Sequence, residues 1–128
     1  MNSVVLIGRL TKDPDLRYIP VTGTPVATFT LAVDKQLSKD KKQELESKNQ
    51  PTADFIRIVA WGKMGENCAN YLKKGLLTAV QGRIQNRSYE LGDGTKRYIT
   101  EVVASNVEFL EWADSKQDNT NDGFGDIE

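Results

Sequence analysis

The sequence predicts an all-β fold, a small and partly open barrel of five strands with one helix inserted late, and three observations carry that expectation. Several stretches place apolar residues at every second position, as a strand against a core requires. Only residues 64–72 carry a convincing apolar stripe at helical spacing. Gly92-Asp93-Gly94 is a strong hairpin signal between two alternating runs. A sandwich seldom carries such a helix, so the barrel is the better match.

Residues 3–10 read as the first strand and residues 11–14 as a turn, since Asp-Pro is a favoured initiator. Gly23 to Pro25 mark another turn. Residues 26–33 form the second strand, in which Val26, Thr28, Thr30 and Ala32 alternate with Ala27, Phe29, Leu31 and Val33. Both faces are fairly apolar, which suits a strand buried on two sides or packed in a subunit contact. Residues 34–52 are polar, rich in Lys and Gln and free of aromatic rings, so the expectation is a mobile loop or a long hairpin with some helical propensity.

Residues 54–63 are the most informative. Ile56, Ile58 and Ala60 share a core face, while Phe55, Arg57, Val59 and Trp61 share the other, interleaving two rings with a cation. A helix follows, with Met64, Cys68, Tyr71 and Leu72 on one stripe and Gly75 as its stop after Lys73 and Lys74. Residues 76–89 return to period two, placing Val80, Gly82 and Ile84 against Gln81, Arg83, Gln85, Arg87 and Tyr89. Residues 97–103 supply the returning strand, and residues 106–110 a further one. Tyr71 and Tyr98 are assigned mainly to packing.

A chain of 128 residues fits one domain, here residues 1–112, with residues 113–128 as a disordered acidic tail. The body holds sixteen Lys and Arg against thirteen Asp and Glu, a surplus of three, and the tail one against five, a deficit of four. A surplus this small does not establish a polyanionic partner, so the case rests on where the cations sit. A single cysteine, and no apolar run or leader of membrane type, suggest a soluble cytoplasmic protein without a membrane role. Histidine is absent, which removes the commonest general base and metal ligand and argues against an enzyme. No cofactor or metal is expected. Asp13 and Asp15 flank Pro14 as turn chemistry, Cys68 reads as a packing residue, and Gly8, Gly62 and Gly82 as bends or close approaches.

Exposed rings that stack on bases, beside guanidinium groups that meet phosphates, are what a protein needs to hold unpaired nucleic acid without reading its sequence. The bland alternative makes Phe55 and Trp61 core or subunit-contact residues, and Arg57, Arg83 and Arg87 a solvated face. Rings and cations coinciding on two separate strands weigh against it.

The runs Asn2-Ser-Val-Val-Leu-Ile-Gly-Arg-Leu-Thr-Lys-Asp-Pro-Asp-Leu-Arg-Tyr18, Asp54-Phe-Ile-Arg-Ile-Val-Ala-Trp-Gly-Lys63, Tyr71-Leu-Lys-Lys-Gly75 and Gln81-Gly-Arg-Ile84 follow in that order. In this the chain resembles bacterial single-stranded DNA-binding proteins over about residues 1–110. The resemblance implies an oligonucleotide-binding (OB) fold, a homotetramer, and coating of single-stranded DNA in replication, recombination and repair. It also implies a disordered tail that recruits replication and repair proteins.

Carried onto this chain, the stacking residues are Phe55, Trp61 and Tyr89, and a fourth stacking position aligns near Leu37, which cannot stack. Lys35, Lys39, Lys41 and Lys42 are the candidates to compensate there. Arg9, Arg57, Lys63, Lys73, Arg83, Arg87 and Arg97 are the candidate phosphate contacts. Family tails close on a Pro-Phe pair, whereas this sequence reads Asp122-Gly-Phe-Gly-Asp-Ile-Glu128, leaving Phe124, Asp126, Ile127 and Glu128 as the partner-binding candidates. Such a tail would suit a copy carried by a phage or mobile element, or a specialised paralogue. Two alternatives stay open: an OB module that binds RNA or assists a primosome, and an interaction scaffold whose rings are buried between subunits.

Overall fold

A computed structural model describes residues 1–112, so the tail and its candidates Phe124, Asp126, Ile127 and Glu128 lie outside the described residues. Six strands and two helices follow in the order β1 (Val4–Leu10), β2 (Asp15–Tyr18), β3 (Pro25–Asp34), α1 (Lys39–Ser47), β4 (Ala53–Trp61), α2 (Gly62–Tyr71), β5 (Leu77–Glu90) and β6 (Lys96–Phe109). The sheet runs β1-β5-β6-β4-β3-β2, and β1 also pairs with β3 through Arg9 and Leu10, so five strands close into a ring with β2 as an outlying hairpin arm. Every pairing is antiparallel except β4 with β6, where Ile58 faces Val102.

Period two decides what fills the ring. Leu10, Ala27, Phe29, Leu31, Ile58, Ala60, Val80, Val102 and Ala104 point inward and are buried, and Cys68 of α2 and Leu72 at its C-cap join them. Gly65 lets α2 lie directly on β3 and β4, because a side chain there would run into the backbone of Ala60 and Ala27. The expected core face of Ile56, Ile58 and Ala60 is the inner one, with Ile56 half-buried. Burial pushes the Cys68 thiol up to about 11, so it stays protonated and packs as a small apolar group. No helix among the described residues is long and apolar enough to cross a membrane.

Several expectations need correction. The five strands of the ring are joined by a sixth, the short β2, and the one expected helix by a second, α1. The expected loop contains α1, built from Lys, Gln and Glu and started by Ser38, whose hydroxyl accepts the Lys41 amide proton at 3.2 Å. None of its residues is buried, so intrinsic propensity, the cap and the pairs of Glu44 with Lys41 and Lys48 specify it, and no apolar stripe announces it. Four-residue β2 is too short and too charged to show a period. The two strands expected over residues 97–103 and 106–110 are one strand with a bulge: Gln81 faces Asn106 and Gly82 faces Ala104, leaving Ser105 over. Tyr98 is 76% exposed, not packed, because it sits on the outer part of the β5–β6 hairpin beyond the ring. Tyr71 does pack, against Phe109 and Trp112, although half of it faces solvent.

Candidate nucleic-acid interface

The odd-numbered residues of β4 point out of the ring, so Phe55, Arg57, Val59 and Trp61 form a row along its outer face. Trp61 ends the strand at the point where Gly62, at φ +69°, turns the chain into α2. Both rings are open, with Phe55 59% and Trp61 46% exposed. Beside Trp61 runs a groove of about 470 Å³, walled by Val59 and Arg57 of β4, Val26 and Thr28 of β3, Asp15 and Arg17 of β2, and Gln85 and Arg87 of β5.

Glu101 of β6 forms its floor, with only 1% of its side chain exposed. Arg57 Nε donates to Glu101 Oε1 at 3.1 Å, and Oε2 accepts from Arg87 Nε at 2.8 Å and Gln85 Nε2 at 3.0 Å. Burial pushes the Glu101 carboxyl up, but the bonds from Arg87, Gln85 and Arg57 together outweigh it and hold the group below the ordinary carboxylate value. A depressed folded pKa contributes stability that is fully present above the unfolded value and lost as pH falls through the folded one. Urea midpoints measured from pH 6 downward should therefore fall below about pH 4.3, the ordinary glutamate value. Glu101→Gln should lose part of that acid dependence, and identical pH profiles for the two proteins would contradict it.

On the other side of Arg57 lies an apolar hollow of about 380 Å³, the uncapped mouth of the ring, lined by Val4, Leu6, Ile56, Ile84 and Val102 with Phe55. Arg57 and Glu101 border both depressions, so Trp61 and Phe55 stand on either side of one charged cluster. Beyond the ring β5 and β6 continue as a hairpin that carries Gln85, Arg87 and Tyr89 on one face, with Tyr89 paired to Arg97 near its tip. The Gly92–Gly94 turn closes it: Asp93 Oδ1 accepts from the Thr95 hydroxyl at 2.6 Å and the Thr95 amide at 3.0 Å, bonds that lower the Asp93 pKa.

The remaining candidates are spread around this centre. Lys63 lies in the first turn of α2, two residues past Trp61, and approaches Glu66 at 3.5 Å. Arg83 is exposed but lines a separate depression with Asn2, Gln81 and Ser105. Lys73 is exposed just past α2. Arg9 stands apart, its Nη1 donating to Gly75 O and Glu111 Oε1, both at 2.9 Å, which ties β1 to the residues after β6. Lys35 pairs with Asp54 at 2.6 Å, while Lys39, Lys41 and Lys42 sit on α1, and Leu37 is half-buried just before it. Among the described residues no cluster of potential ligands suits a metal ion. Asp13 instead accepts the Lys74 amide proton at 2.8 Å, and Asp15 pairs with Arg17 at 3.0 Å.

Sequence reasoning missed Glu101 and Arg17. Counting outward from the Gly-Asp-Gly turn would have put Glu101 opposite Gln85, whereas Arg17 depends on a strand with no readable period.

Comparison with known proteins adds the family. The pattern described as "Single-strand binding protein family" matches residues 1–110. A "Single-stranded DNA-binding protein" of Clostridium tetani is 57% identical over 128 residues, covering 100% of this chain and 82% of that one. "Single-stranded DNA-binding protein 3" of Clostridium acetobutylicum is 57% identical over 125 residues, 97% of this chain and 81% of its own. The "Single-stranded DNA-binding protein" of Bacillus cereus is 54% identical over 111 residues, 87% of this chain and 61% of its own. With its outward rings, paired arginines and a match over nearly all of the described residues, the chain belongs to the Single-strand binding protein family, whose members bind and do not catalyse.

Proposed function

We propose that this protein binds and protects single-stranded DNA in replication, recombination and repair, through an OB-fold domain of residues 1–112. Bases stack on Trp61, Phe55 and Tyr89, while Arg57 and Arg87 meet the backbone, helped by Arg83, Lys63, Lys73 and Arg97. Arg9, already engaged with Gly75 and Glu111, contributes through long-range charge. The observation that carries the reading is the half-exposed Trp61 indole beside a groove walled by Arg17, Arg57 and Arg87. The five-strand ring, its single parallel pair and the helix between β4 and β5 support the OB assignment, with β2 as an added hairpin arm. Val5 and Ile7, exposed on the outer face of β1, supply an apolar surface for assembly into a homotetramer. Residues 113–128 would serve as an acidic segment recruiting replication and repair proteins in the bacterial cytoplasm.

Stoichiometric binding of this kind is read by salt. Titrating the Trp112→Phe protein with oligo-dT should quench the fluorescence of Trp61, then the sole tryptophan. Affinity should fall with salt at a log–log slope of about −0.7 per phosphate neutralised. Oligo-U should bind more weakly than oligo-dT. Equal or tighter RNA binding would favour the RNA-binding alternative, and unchanged Trp61 emission at saturating oligo-dT the scaffold.

A further inference from the structure

We propose that Glu101 is a positioning residue for DNA binding, holding the guanidinium groups of Arg57 and Arg87 by their Nε atoms so that their terminal nitrogens face the groove. This rests on the reading that single-stranded DNA runs through the groove beside Trp61.

A carboxylate is a poor choice for the floor of a polyanion site, because on charge alone it repels the ligand. Nor does the core need it. Val102 beside it points inward and is buried, while Glu101 points to the outer face of the sheet, where all its bonded partners line the groove. Its two oxygens are divided between the cations, Oε1 to Arg57 and Oε2 to Arg87, with Gln85 completing the set. No other hydrogen bond engages either guanidinium among the described residues, so the terminal nitrogens of both are left for a ligand. The guanidinium groups cover the carboxylate in turn, leaving 1% of its side chain exposed against 41% and 44% for the arginines. A passing phosphate therefore meets two fixed cations and not the anion beneath. Without Glu101 the like charges would repel, and each long side chain would have to be ordered at the moment of binding.

The two accounts predict opposite signs. Removing a negative charge tightens DNA binding if only net charge matters, and weakens it if Glu101 positions the arginines. The test uses the full chain carrying Trp112→Phe, so that Trp61 is the sole tryptophan, with its emission titrated with oligo-dT at several salt concentrations. Glu101→Gln should bind roughly fivefold more weakly, a loss of the size expected when rotamer-rich side chains lose their pre-ordering. The salt slope should become shallower as fewer phosphates are neutralised. Unchanged or tighter binding overturns the proposal. A double-mutant cycle separates positioning from a general effect on the fold: Glu101→Gln should cost less when Arg87→Gln is already present, and equal costs in both backgrounds also overturn it.

Arg57→Gln and Arg87→Gln serve as the reference. If neither weakens binding, the groove is not the DNA path and the underlying reading fails. If both weaken it while Glu101→Gln does not, only the positioning role fails. Should Glu101→Gln prove too unstable to titrate, Glu101→Asp draws the carboxylate back by one methylene and should weaken binding in the same direction. No loss there overturns the proposal as well.

Discussion

Trp61→Ala is expected to lower the affinity for oligo-dT by about 5- to 150-fold, the range that corresponds to the roughly 1–3 kcal/mol of one base–aromatic stack. The indole has an open face to offer, standing 46% exposed at the end of β4. It is flanked by cations on three strands, Arg17 on β2, Arg57 on β4 and Arg87 on β5, so a base lying on it has its phosphates within reach of guanidinium groups. The fold should tolerate the truncation. Trp61 is the N-cap of α2 but makes no side-chain capping bond, and the residues that fill the ring are others. Trp112→Ala is the matched control. That ring is as exposed, yet it packs edge-on against Phe109 and Tyr71 and belongs to neither depression beside Arg57. Anisotropy of a labelled oligo-dT reads both variants without relying on tryptophan emission. Trp61→Phe should retain most of the affinity because it keeps a stacking face. A loss in Trp61→Ala no greater than in Trp112→Ala would remove stacking from the account.

What could be read in advance follows from how locally each feature is specified. The row of Phe55, Arg57, Val59 and Trp61 was legible because strand alternation is a property of consecutive residues, and a strand with an apolar inner face has one way to lie on a core. The Gly92–Gly94 turn was legible for the same reason. Neither α1 nor β2 was. Their stability comes from a serine cap in the one case and from pairing with β3 in the other, with no buried stripe to mark either. Tyr98 misled because an aromatic ring in a strand usually packs, while this strand outruns the ring it belongs to. Glu101 was hidden by a different kind of distance. Its partners lie 14, 16 and 44 residues away, so only the register of two strand pairs reveals that one acid underlies two arginines.

Gly82→Ala should cost at least the upper part of the roughly 1–3 kcal/mol range for overpacking, read as a lowered urea midpoint at fixed protein concentration without DNA. A Cβ at this position would run into the carbonyl of Val103, with the Ala104 Cα close behind. These are backbone atoms of the neighbouring strand, so no rotamer change can make room. The site is also where β5 and β6 change register around Ser105, and the only way to give is to spread the ladder at its bulge. Gly92→Ala is the contrast. It adds the same methyl in a turn with nothing within 4 Å and no positive φ, and should stay within about ±0.5 kcal/mol of the parent. Spreading the ladder at Gly82 moves everything past it on the hairpin, including the pairing of Gln85 with Glu101 that seats the carboxylate under Arg57 and Arg87. The variant should therefore lose affinity for oligo-dT under conditions where it is still folded. Should Gly82→Ala and Gly92→Ala prove equally stable, the close approach of β5 to β6 would not be what fixes the hairpin.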